Sequence, residues 1–549
     1  MNKKKFCPVC AVKKLVNKSR VSQCSERGYD NGVAMTPPMG WSSWNLFRNK
    51  ISEELIKEIA DAMKDSGLAE AGYVYVNIDD CWQASTRDEN GRLRCDKVTF
   101  PSGIKALSEY VNARGLKLGI YSSNGTLTCE DYPASLRHER EDADTFAQWG
   151  VEYFKYDFCH NEKISSEAPK IASIGFSAEG SGKNFIVLRP SDLTLHGRAR
   201  IVEDEDTEFG AYIAGIDARL GSVSAEIQVP ESGEYIMTIT VRKGGLKEKF
   251  LRLMVNGKDE YHIYCPGTKA WSTEGRIQTA VKLDEGENRI ELSNPIGSVM
   301  DSAAVQYKLM GRELKRATKE YAEKNGVEEK PIVFSICEWG VNKPWKWGME
   351  AGNLWRTTMD IKPHWISVLG LYEFTVRLHK YAAPGSWNDA DMLEVGNGDL
   401  TFEENRSHFS LWCMLCAPLI LGNDVRKFIK ADGSIDTDSK IYQILTNRDM
   451  IAIDQDPLGV QCRRIKTGKV DVLVKPLQGS RAAVCVLNKS GKPDGTHIEL
   501  GKLANLGYVN LKKKSGYTVY DVWEKRTAEN ASVINAVAEP HGVKVYIVE

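Results

Sequence analysis

Along residues 35–160, segments with the apolar period of a helix alternate with segments that have the apolar pattern of a strand. A helical period begins after Ser52 and extends to about residue 64, with acidic residues in its first turn and Gly67 just beyond its end. A run of aromatic and β-branched residues at 73–78 then indicates a strand. The same order is repeated downstream, with helices predicted at 104–113 and 135–148 and strands at 116–123 and 151–159. This repetition predicts a parallel sheet.

Polar or aromatic side chains stand at or just beyond the carboxyl end of each predicted strand. They are Trp44, Asp79, Asp80, Tyr121, Lys155 and Asp157. A (β/α)8 barrel places its chemistry at that edge of the sheet. The pattern therefore favours a barrel with a polar site above its strands.

The pattern changes at about residues 165–308, where short strands are separated by Gly, Asn and Pro signals, as at 227–241, 250–258 and 285–292. Such spacing is typical of a β-sandwich. A helical period resumes at about 311–324. We therefore expect a β domain inserted in a loop of the barrel, because loops tolerate insertions well.

The α/β pattern continues to about residue 457, and the strands then become short and antiparallel in style, as at 470–474 and 482–487. The sequence thus predicts an α/β fold: a (β/α)8 TIM barrel with an inserted β-sandwich and a C-terminal antiparallel β domain. The predicted parts are a flexible leader at 1–34, the barrel at 35–164 and 309–457, the sandwich at 165–308 and the C-terminal domain at 458–549.

Composition excludes two classes of partner. The 549 residues include 73 basic and 74 acidic side chains, so the net charge is −1. This balance gives no electrostatic capture of nucleic acid or of a membrane surface, and no apolar run is long enough to span a bilayer.

The basic residues 3–5 lack a following apolar region, which indicates no secretory signal and a cytoplasmic location with thirteen largely reduced cysteines. Cys7 and Cys10 form a lone CxxC pair, which we assign to the leader rather than to a zinc site.

Lys155 and Asp157 fall on one face of the strand predicted at 151–159, because side chains alternate along a strand. A neighbouring cation keeps a carboxylate ionised, and an ionised carboxylate can act as a nucleophile. A salt bridge at a strand end explains the same pattern without catalysis. The strand alone leaves both interpretations open.

Carboxylates and tryptophans dominate the candidate site: Trp44, Asp79, Asp80, Asp157, Glu338, Trp339, Asp360 and Asp391. Aromatic faces and carboxylates suit a sugar, and paired carboxylates are what glycosidic cleavage requires. A magnesium or calcium site is the main alternative. Metal hydrolases usually offer histidine ligands as well, and none of the nine histidines forms a HExxH pair. The residues therefore favour sugar hydrolysis, with no metal and no cofactor.

Several motifs together resemble the α-galactosidases of glycoside hydrolase family 27, over about residues 35–163 and 310–549. They occur in family order: Thr36-Pro37-Pro38-Met39-Gly40-Trp41, Ile78-Asp79-Asp80-Cys81-Trp82, Lys155-Tyr156-Asp157, Cys337-Glu338-Trp339, Trp355-Arg356-Thr357-Thr358 with Asp360, and Trp387-Asn388-Asp389 with Asp391-Met392. That family is a (β/α)8 barrel followed by an antiparallel β domain. The resemblance implies the same fold and hydrolysis of terminal α-linked galactose.

The resemblance also implies a role for each matching residue. Asp157 looks like the nucleophile and Asp360 like the acid/base of a retaining double displacement. Arg356 is expected to orient Asp360 or to hold a sugar hydroxyl. Asp79 and Asp80 resemble the pair that binds the galactose 4- and 6-hydroxyls. Further walls of the subsite are expected from Trp44, Tyr121, Cys129, Lys155, Cys159, Cys337, Trp339, Asp391 and Met392.

Glu338 bears on substrate choice through the resemblance. Related α-N-acetylgalactosaminidases have a smaller residue there, which makes room for an N-acetyl group, so Glu338 favours a free 2-hydroxyl. Family relatives also pair the cysteine at Cys81 with one near residues 47–50, where this chain has none, so we expect a free thiol. Cys129 and Cys159 match a family disulfide, and a reducing cytoplasm leaves its formation open.

The insert is similar to carbohydrate-binding modules of the family 6 and 35 type, with Asn256-Gly257, residues 271–275 and the closing residues 301–305. A structural or oligomerisation domain is an equal alternative, and a homo-oligomer is compatible with the sequence. Placed after the catalytic strand, the insert is expected to restrict long substrates. We thus expect a small oligosaccharide or glycoconjugate as substrate. The alternatives are an α-N-acetylgalactosaminidase, a β-L-arabinopyranosidase, or a non-hydrolytic carbohydrate-binding protein.

Overall fold

The first half of the barrel follows the predicted alternation of strands and helices. The computed structural model describes residues 29–178, 181, 183–244, 249–265 and 272–549, so Cys7, Cys10 and Trp271 lie outside the described residues. The strands are β1 Met39–Ser42, β2 Tyr75–Asn77, β3 Lys117–Ser123 and β4 Tyr153–Asp157. The helices are α1 Trp44–Phe47, α2 Glu53–Asp65, α3 Leu68–Ala71, α4 Ile104–Asn112 and α5 Glu139–Trp149.

Helix α2 shows why these segments are helical. The hydroxyl of Ser52 accepts a hydrogen bond from the backbone N–H of Leu55 at 3.2 Å, which caps the first turn. Ile56, Ile59 and Met63 are fully buried at helical spacing. Ahead of β1, Tyr29 is 4 % exposed, and its backbone N–H donates to the carbonyl of Met349.

The chain divides into two compact units, and the insert is the unit Asn161–Leu309. Its strands are β5 Lys170–Ala178, β6 Ile186–Leu188, β7 Thr194–Gly197, β8 Arg200–Glu203, β9 Ala211–Ala214, β10 Gly221–Val229, β11 Gly233–Arg242, β12 Lys249–Val255, β13 Asp259–Cys265, β14 Glu274–Leu283 and β15 Gly286–Ser293. One antiparallel sheet has the order β13-β12-β15-β10-β7. The other has the order β14-β11-β5-β9-β8, with β6 paired to β5.

Both sheets of the insert contribute to one hydrophobic core. Val223, Leu253 and Leu292 enter it from the first sheet, and Met237 and Ile239 from the second. Two sheets that share a core in this way form a β-sandwich, as the strand and turn pattern predicted.

Helix α6 Val299–Asn325 begins twelve residues before the predicted start at residue 311. The assignment of residues 301–305 to the closing part of the sandwich pattern is therefore wrong. Gly311 suggested a helix start but lies within the helix, where a Cβ atom would come within 2.1 Å of the carbonyl oxygen of Ala351. Glycine is required by this close approach of two backbones.

The second half of the barrel completes the sheet. It contains the strands β16 Val333–Ile336, β17 Leu354–Arg356, β18 Trp387–Asp389 and β19 Leu419–Leu421, with the helices α7 Trp365–Thr375, α8 Phe402–Leu415, α9 Lys440–Leu445 and α10 Arg448–Asp454. All eight strands are parallel, in the order β18-β17-β16-β4-β3-β2-β1-β19. A parallel bridge between Leu393 and Leu421 links the two edges of the curled sheet. The predicted TIM barrel is confirmed.

The C-terminal domain is antiparallel, as predicted. Its elements are β20 Arg463–Lys466, β21 Val470–Leu477, β22 Arg481–Asn488, β23 Asp494–Glu499, α11 Leu500–Leu503, β24 Tyr517–Asp521, β25 Arg526–Ala531, β26 Val533–Ala538 and β27 Val543–Val548. Six strands form one sheet in the order β20-β21-β22-β27-β24-β25, and β23 pairs with β26. Within the described part of the chain, every helix is too short or too polar to cross a membrane.

Candidate active site

A cavity of about 130 Å³ opens at the carboxyl ends of the barrel strands. Because the strands are parallel, the residues that end or follow them meet at this edge of the sheet. Most of the predicted site residues line it: Trp44, Asp79, Tyr121, Cys129, Lys155, Asp157, Trp339, Arg356, Asp360, Asp391 and Met392. The structure thus brings together residues that are separated by more than three hundred positions in the sequence.

Lys155 on β4 forms an ion pair with Asp79, which follows β2. Its Nζ lies 2.8 Å from Oδ2 of Asp79, which also accepts a hydrogen bond from the hydroxyl of Ser42 at 3.3 Å. Asp79 is 3 % exposed, so water screens this pair weakly. The Lys155 Nζ also lies 5.2 Å from the centroid of the Tyr121 ring. The cation therefore joins the ends of β2, β3 and β4.

Asp157 is almost completely buried at the end of β4, where its Oδ1 accepts a hydrogen bond from the backbone N–H of Phe158 at 2.9 Å. Burial raises the pKa of Asp157 above its usual value. The charge of Lys155 lowers this pKa, but by less than burial raises it. Lys155 thus favours the ionised form of Asp157, as expected, while the net shift of the pKa is upward because burial outweighs it.

Arg356 at the end of β17 holds two carboxylates. Its Nη2 lies 3.0 Å from Oδ1 of Asp360 and 2.7 Å from Oδ2 of Asp391. Partial burial alone would raise the pKa of Asp360, but the charges of Arg356 and Lys155 outweigh it and hold that pKa below its usual range. The Asp360 side chain remains 56 % exposed, so it faces the open part of the cavity.

Two residues of the rim have left-handed backbone conformations. Trp339 has φ 56° and Asp391 has φ 79°, values that residues other than glycine rarely adopt. The Trp339 ring packs edge-on against Phe158, with ring centroids 6.0 Å apart. Asp391 accepts a hydrogen bond from the backbone N–H of Ile361 at 2.7 Å. Such conformations concentrate at functional sites, where the surrounding contacts hold them.

Four predicted residues do not line this cavity. Cys337 lines a smaller cavity of about 30 Å³ in the barrel interior. Asp80 accepts hydrogen bonds from the backbone N–H groups of Cys81 and Glu130, and burial raises its pKa to about 6. Glu338 is fully buried, and Cys159 is held in a disulfide.

The Glu338 carboxylate binds the loop that follows β16. Oε1 accepts hydrogen bonds from the backbone N–H of Asn342 at 2.8 Å and from its side-chain amide at 2.6 Å. Burial raises the pKa of Glu338 to about 7. Its position therefore supports the loop that carries Trp339, and Trp339 rather than Glu338 faces the cavity.

Cys129 and Cys159 form a disulfide, the pairing that the resemblance implied. The Cys129 Sγ lies 3.9 Å from Oδ2 of Asp157, so the bond borders the buried carboxylate. Among the described residues, these two cysteines and Asp157 are the one group close enough to share a metal ion, and the disulfide occupies both sulfurs. Cys81 is a free, buried thiol, as expected.

Sequence reasoning missed five residues of the cavity wall: Asn45, Arg48, Ile361, Lys362 and Glu394. Each follows a predicted site residue by one to four positions, which was the available signal. Glu394 accepts hydrogen bonds from the side chains of Asn45 at 2.8 Å and Asn397 at 2.6 Å, and burial raises its pKa to about 7. It thereby anchors α1, which carries Trp44.

Known proteins with similar sequences share this architecture. The sequence model of the α-galactosidase A family matches residues 36–187 and 307–456, and that of the α-galactosidase C-terminal β-sandwich domain matches residues 467–548. α-Galactosidase 3 of Arabidopsis thaliana is 32 % identical over 94 % of this chain and 83 % of its own length. α-Galactosidase of Coffea arabica is 33 % identical over 94 % of each chain.

The crystal structure of α-galactosidase I from Mortierella vinacea is also similar, with a TM-score of 0.63 and 26 % identity over 94 % of this chain and 98 % of that one. The family match covers the barrel on both sides of the insert, extends into the first strands of the insert and includes Asp79, Asp157, Arg356 and Asp360. The chain therefore belongs to the α-galactosidase A family, glycoside hydrolase family 27, and it is a glycoside hydrolase.

Proposed function

We propose that the protein is a retaining α-galactosidase that releases terminal, non-reducing α-D-galactosyl residues from small oligosaccharides or glycoconjugates. The observation that carries this proposal is the placement of Asp157 and Asp360 on one small cavity whose other walls include carboxylates, cations and tryptophans. Paired carboxylates on a sugar-sized cavity supply the nucleophile and the acid of glycoside hydrolysis. The activities of the relatives support the same substrate class.

In the first step, a carboxylate oxygen of Asp157 attacks the anomeric carbon of galactose. The bond between that carbon and the leaving oxygen breaks, and Asp360 transfers its proton to the leaving oxygen. The hydrogen bond from the Phe158 N–H and the disulfide beside Oδ2 restrict the orientation of the Asp157 carboxylate. The product of this step is a galactosyl ester of Asp157.

In the second step, Asp360 accepts a proton from water as the water oxygen attacks the same anomeric carbon. The ester bond breaks, Asp157 recovers its negative charge, and galactose leaves with its original α configuration. Two inversions at one carbon give retention. Asp360 is the more exposed of the two carboxyl groups. The acid/base needs this exposure because it must reach both the leaving group and water.

Asp79 and Lys155 supply the galactose specificity in this proposal. A buried carboxylate acceptor beside a fixed ammonium donor suits the axial 4-hydroxyl and the 6-hydroxyl. A sugar that lacks one of these hydroxyls leaves a buried polar group unpaired, which costs affinity. Asp80 supports this subsite indirectly, because its carboxylate holds the backbone at Cys81 and Glu130.

The stereochemistry of the first product tests the mechanism. Proton NMR during hydrolysis of a nitrophenyl α-galactoside should show α-galactose first, and the β anomer only after mutarotation. Initial formation of β-galactose would rule out a double displacement. Nitrophenyl α-N-acetylgalactosaminide and nitrophenyl β-L-arabinopyranoside should be hydrolysed more slowly than the α-galactoside. Faster hydrolysis of either would reassign the substrate.

Replacing the proposed nucleophile tests its role. Asp157→Ala should abolish turnover, and added azide should restore it with a β-galactosyl azide as product, because azide then displaces the leaving group in one step. Asn161→Ala provides a control outside the cavity. Wild-type turnover by Asp157→Ala, or no turnover of any galactoside by the wild type, would contradict the proposal and leave a binding protein as the alternative.

The cytoplasmic location and the restriction on long substrates, both expected from the sequence, remain predictions. The disulfide Cys129–Cys159 weighs against a strongly reducing location for the folded protein, because such bonds persist in oxidising compartments. Fractionation followed by immunoblotting would locate the chain. The expected restriction on long substrates would be contradicted by equal rates on galactomannan and on small galactosides.

A further inference from the structure

We infer that the β-sandwich insert carries a saccharide-binding cleft of its own, on the outer face of its five-stranded sheet. A cavity of about 590 Å³ lies there, within the size range of ligand pockets in proteins. Strands β7, β10, β15 and β12 form its floor, and the beginning of α6 forms a wall. Every lining residue belongs to the unit Asn161–Leu309, so the cleft is complete within the insert.

The floor of the cleft is one polar row across four strands. The strand register places His196 beside Ser222, Ser222 beside Ser293, and Ser293 beside Arg252. Three steps of about 4.8 Å give the row a length of roughly 14 Å. Residues adjacent to the row in sequence, such as Val223 and Leu292, point into the hydrophobic core instead. The alternation of side chains therefore directs four polar groups to the same side of the sheet.

The helical wall is shaped to leave space above that row. Asp301, Ala304, Val305 and Lys308 have the spacing of one helix face, and the two small or branched residues lie at its centre. An ion pair between Arg219 and Asp301 lies at one end of this face. Small side chains in the middle and charged ones at the ends leave an open trough between helix and sheet.

The charged groups of the floor are available to a ligand. Arg252 donates from Nε to the Ser293 hydroxyl at 3.3 Å. Glu291 lies on β15 two residues before Ser293, on the same face of the sheet, and is therefore diagonal to Arg252. Within the described ranges, neither Arg252 nor Glu291 has an ion-pair partner. A guanidinium fork that donates beside a carboxylate that accepts is the arrangement that binds adjacent sugar hydroxyls.

The sign of the charges selects the kind of saccharide. The charged side chains of the lining nearly balance, with Arg219, Arg252 and Lys308 against Glu291 and Asp301, and Arg219 is paired with Asp301, so a polyanion would meet a single excess cation. His196 is held by a hydrogen bond of 2.9 Å between its Nε2 and the Ser224 hydroxyl. The described residues of the lining include no Phe, Tyr or Trp, so hydrogen bonds to hydroxyls, rather than ring stacking, carry the recognition. Neutral, unsubstituted glycan chains fit this chemistry.

Affinity gel electrophoresis of the full chain tests the cleft apart from the catalytic proposal. The gels contain linear β-mannan, xylan or mixed-linkage β-glucan, none of which has terminal α-galactose, or the acidic polygalacturonate. At least one neutral glycan should retard the wild type, and Arg252→Ala and Glu291→Ala should each weaken the retardation about tenfold. Arg289→Ala is the matched control, because Arg289 lies exposed on the same face of β15 but outside the cleft.

Ser222→Trp provides a second variant, which fills the cleft without removing a charged contact and should abolish retardation. Melting temperature and turnover of a nitrophenyl α-galactoside show whether each variant is folded. Turnover is also an independent measure of the catalytic proposal, which can fail without affecting this one. The inference is overturned if no neutral glycan retards the wild type, if only polygalacturonate does, or if the cleft variants migrate like Arg289→Ala.

Discussion

The Nζ of Lys155 lies 2.8 Å from Oδ2 of Asp79, an ion pair that crosses from β4 past β3 to the segment after β2. Both partners are largely withdrawn from water, with side-chain exposures of 20 % and 3 %. The pair therefore fixes the acceptor of the proposed galactose subsite. The charge of Asp79 in turn adds to the rise in the pKa of Asp157, which burial dominates.

Breaking this pair should affect stability and catalysis together. Lys155→Met leaves a buried carboxylate without its cation, which we expect to cost about 3 kcal/mol of unfolding free energy. The basic limb of the kcat/KM profile should move to higher pH, because Asp157 has the higher pKa of the two carboxyl groups and Lys155 lowers it. Chemical denaturation and pH–rate profiles measure the two effects. The double variant Lys155→Met/Asp79→Asn should regain stability but not activity, and full additivity would contradict the coupling.

Arg356 should control the acid limb of the pH profile. The first step needs Asp360 protonated and Asp157 ionised, and the pKa of Asp360 lies below that of Asp157, so the acid limb of kcat/KM reports Asp360. Arg356→Gln removes the charge that lowers the pKa of Asp360, so this pKa rises and the acid limb moves to higher pH. Overall activity should fall as well, because Arg356 also holds Asp391. Arg48→Ala removes another cation of the cavity wall and should leave the limb unchanged. An identical limb in wild type and Arg356→Gln would argue against Asp360 as the acid.

Glu338 and Trp339 should have different effects on substrate choice. The Glu338 carboxylate is bound to Asn342, so Glu338→Ala should destabilise the loop and lower the melting temperature without creating turnover of α-N-acetylgalactosaminides. Trp339→Ala changes a wall of the cavity itself and should alter KM by tenfold or more while the fold is preserved. Kinetics on both nitrophenyl substrates separate the two. Efficient α-N-acetylgalactosaminide hydrolysis by Glu338→Ala would restore Glu338 as the specificity residue.

The disulfide should stabilise the proposed nucleophile. Denatured, unreduced protein should titrate two thiols fewer than the reduced chain, because Cys129 and Cys159 are joined. The double variant Cys129→Ser/Cys159→Ser should lose about 3 kcal/mol of stability and part of kcat. Cys95→Ser changes a buried free thiol and serves as the control. Equal thiol counts with and without reductant would show that the bond is not formed.

Glu139 should make stability depend on pH. Burial at the start of α5 raises its pKa to about 8, and Oε1 has no hydrogen-bond partner among the described residues. The unfolded chain releases this proton near pH 4.5, whereas the folded chain keeps it until about pH 8, so stability falls as pH rises between these values. Glu139→Gln should therefore stabilise the protein on the order of 2 kcal/mol at pH 7 and little at pH 4. Unfolding curves at both values measure this, and an equal effect at both would contradict it.

The sequence by itself determined the fold class and most of the residues that meet at the cavity. Ser52 and the apolar spacing of α2 predicted a helix because caps and periods act locally, and the polar residues after β2 and β4 predicted a site because parallel strands end at one edge. Local signals were misleading at Gly311, which suggested the start of a helix. Glycine is required there because the backbone at Ala351 approaches it closely.

Only the tertiary structure decided how the charges are paired. The sequence placed Lys155 beside Asp157 and the resemblance placed Glu338 beside the sugar, whereas the structure adds an ion pair between Lys155 and Asp79 and binds Glu338 to Asn342. The directions of the pKa shifts followed from the same packing, since they depend on burial and on charges brought close by other strands. The cleft of the insert likewise depends on strand register and on the face of α6, which no local pattern specifies.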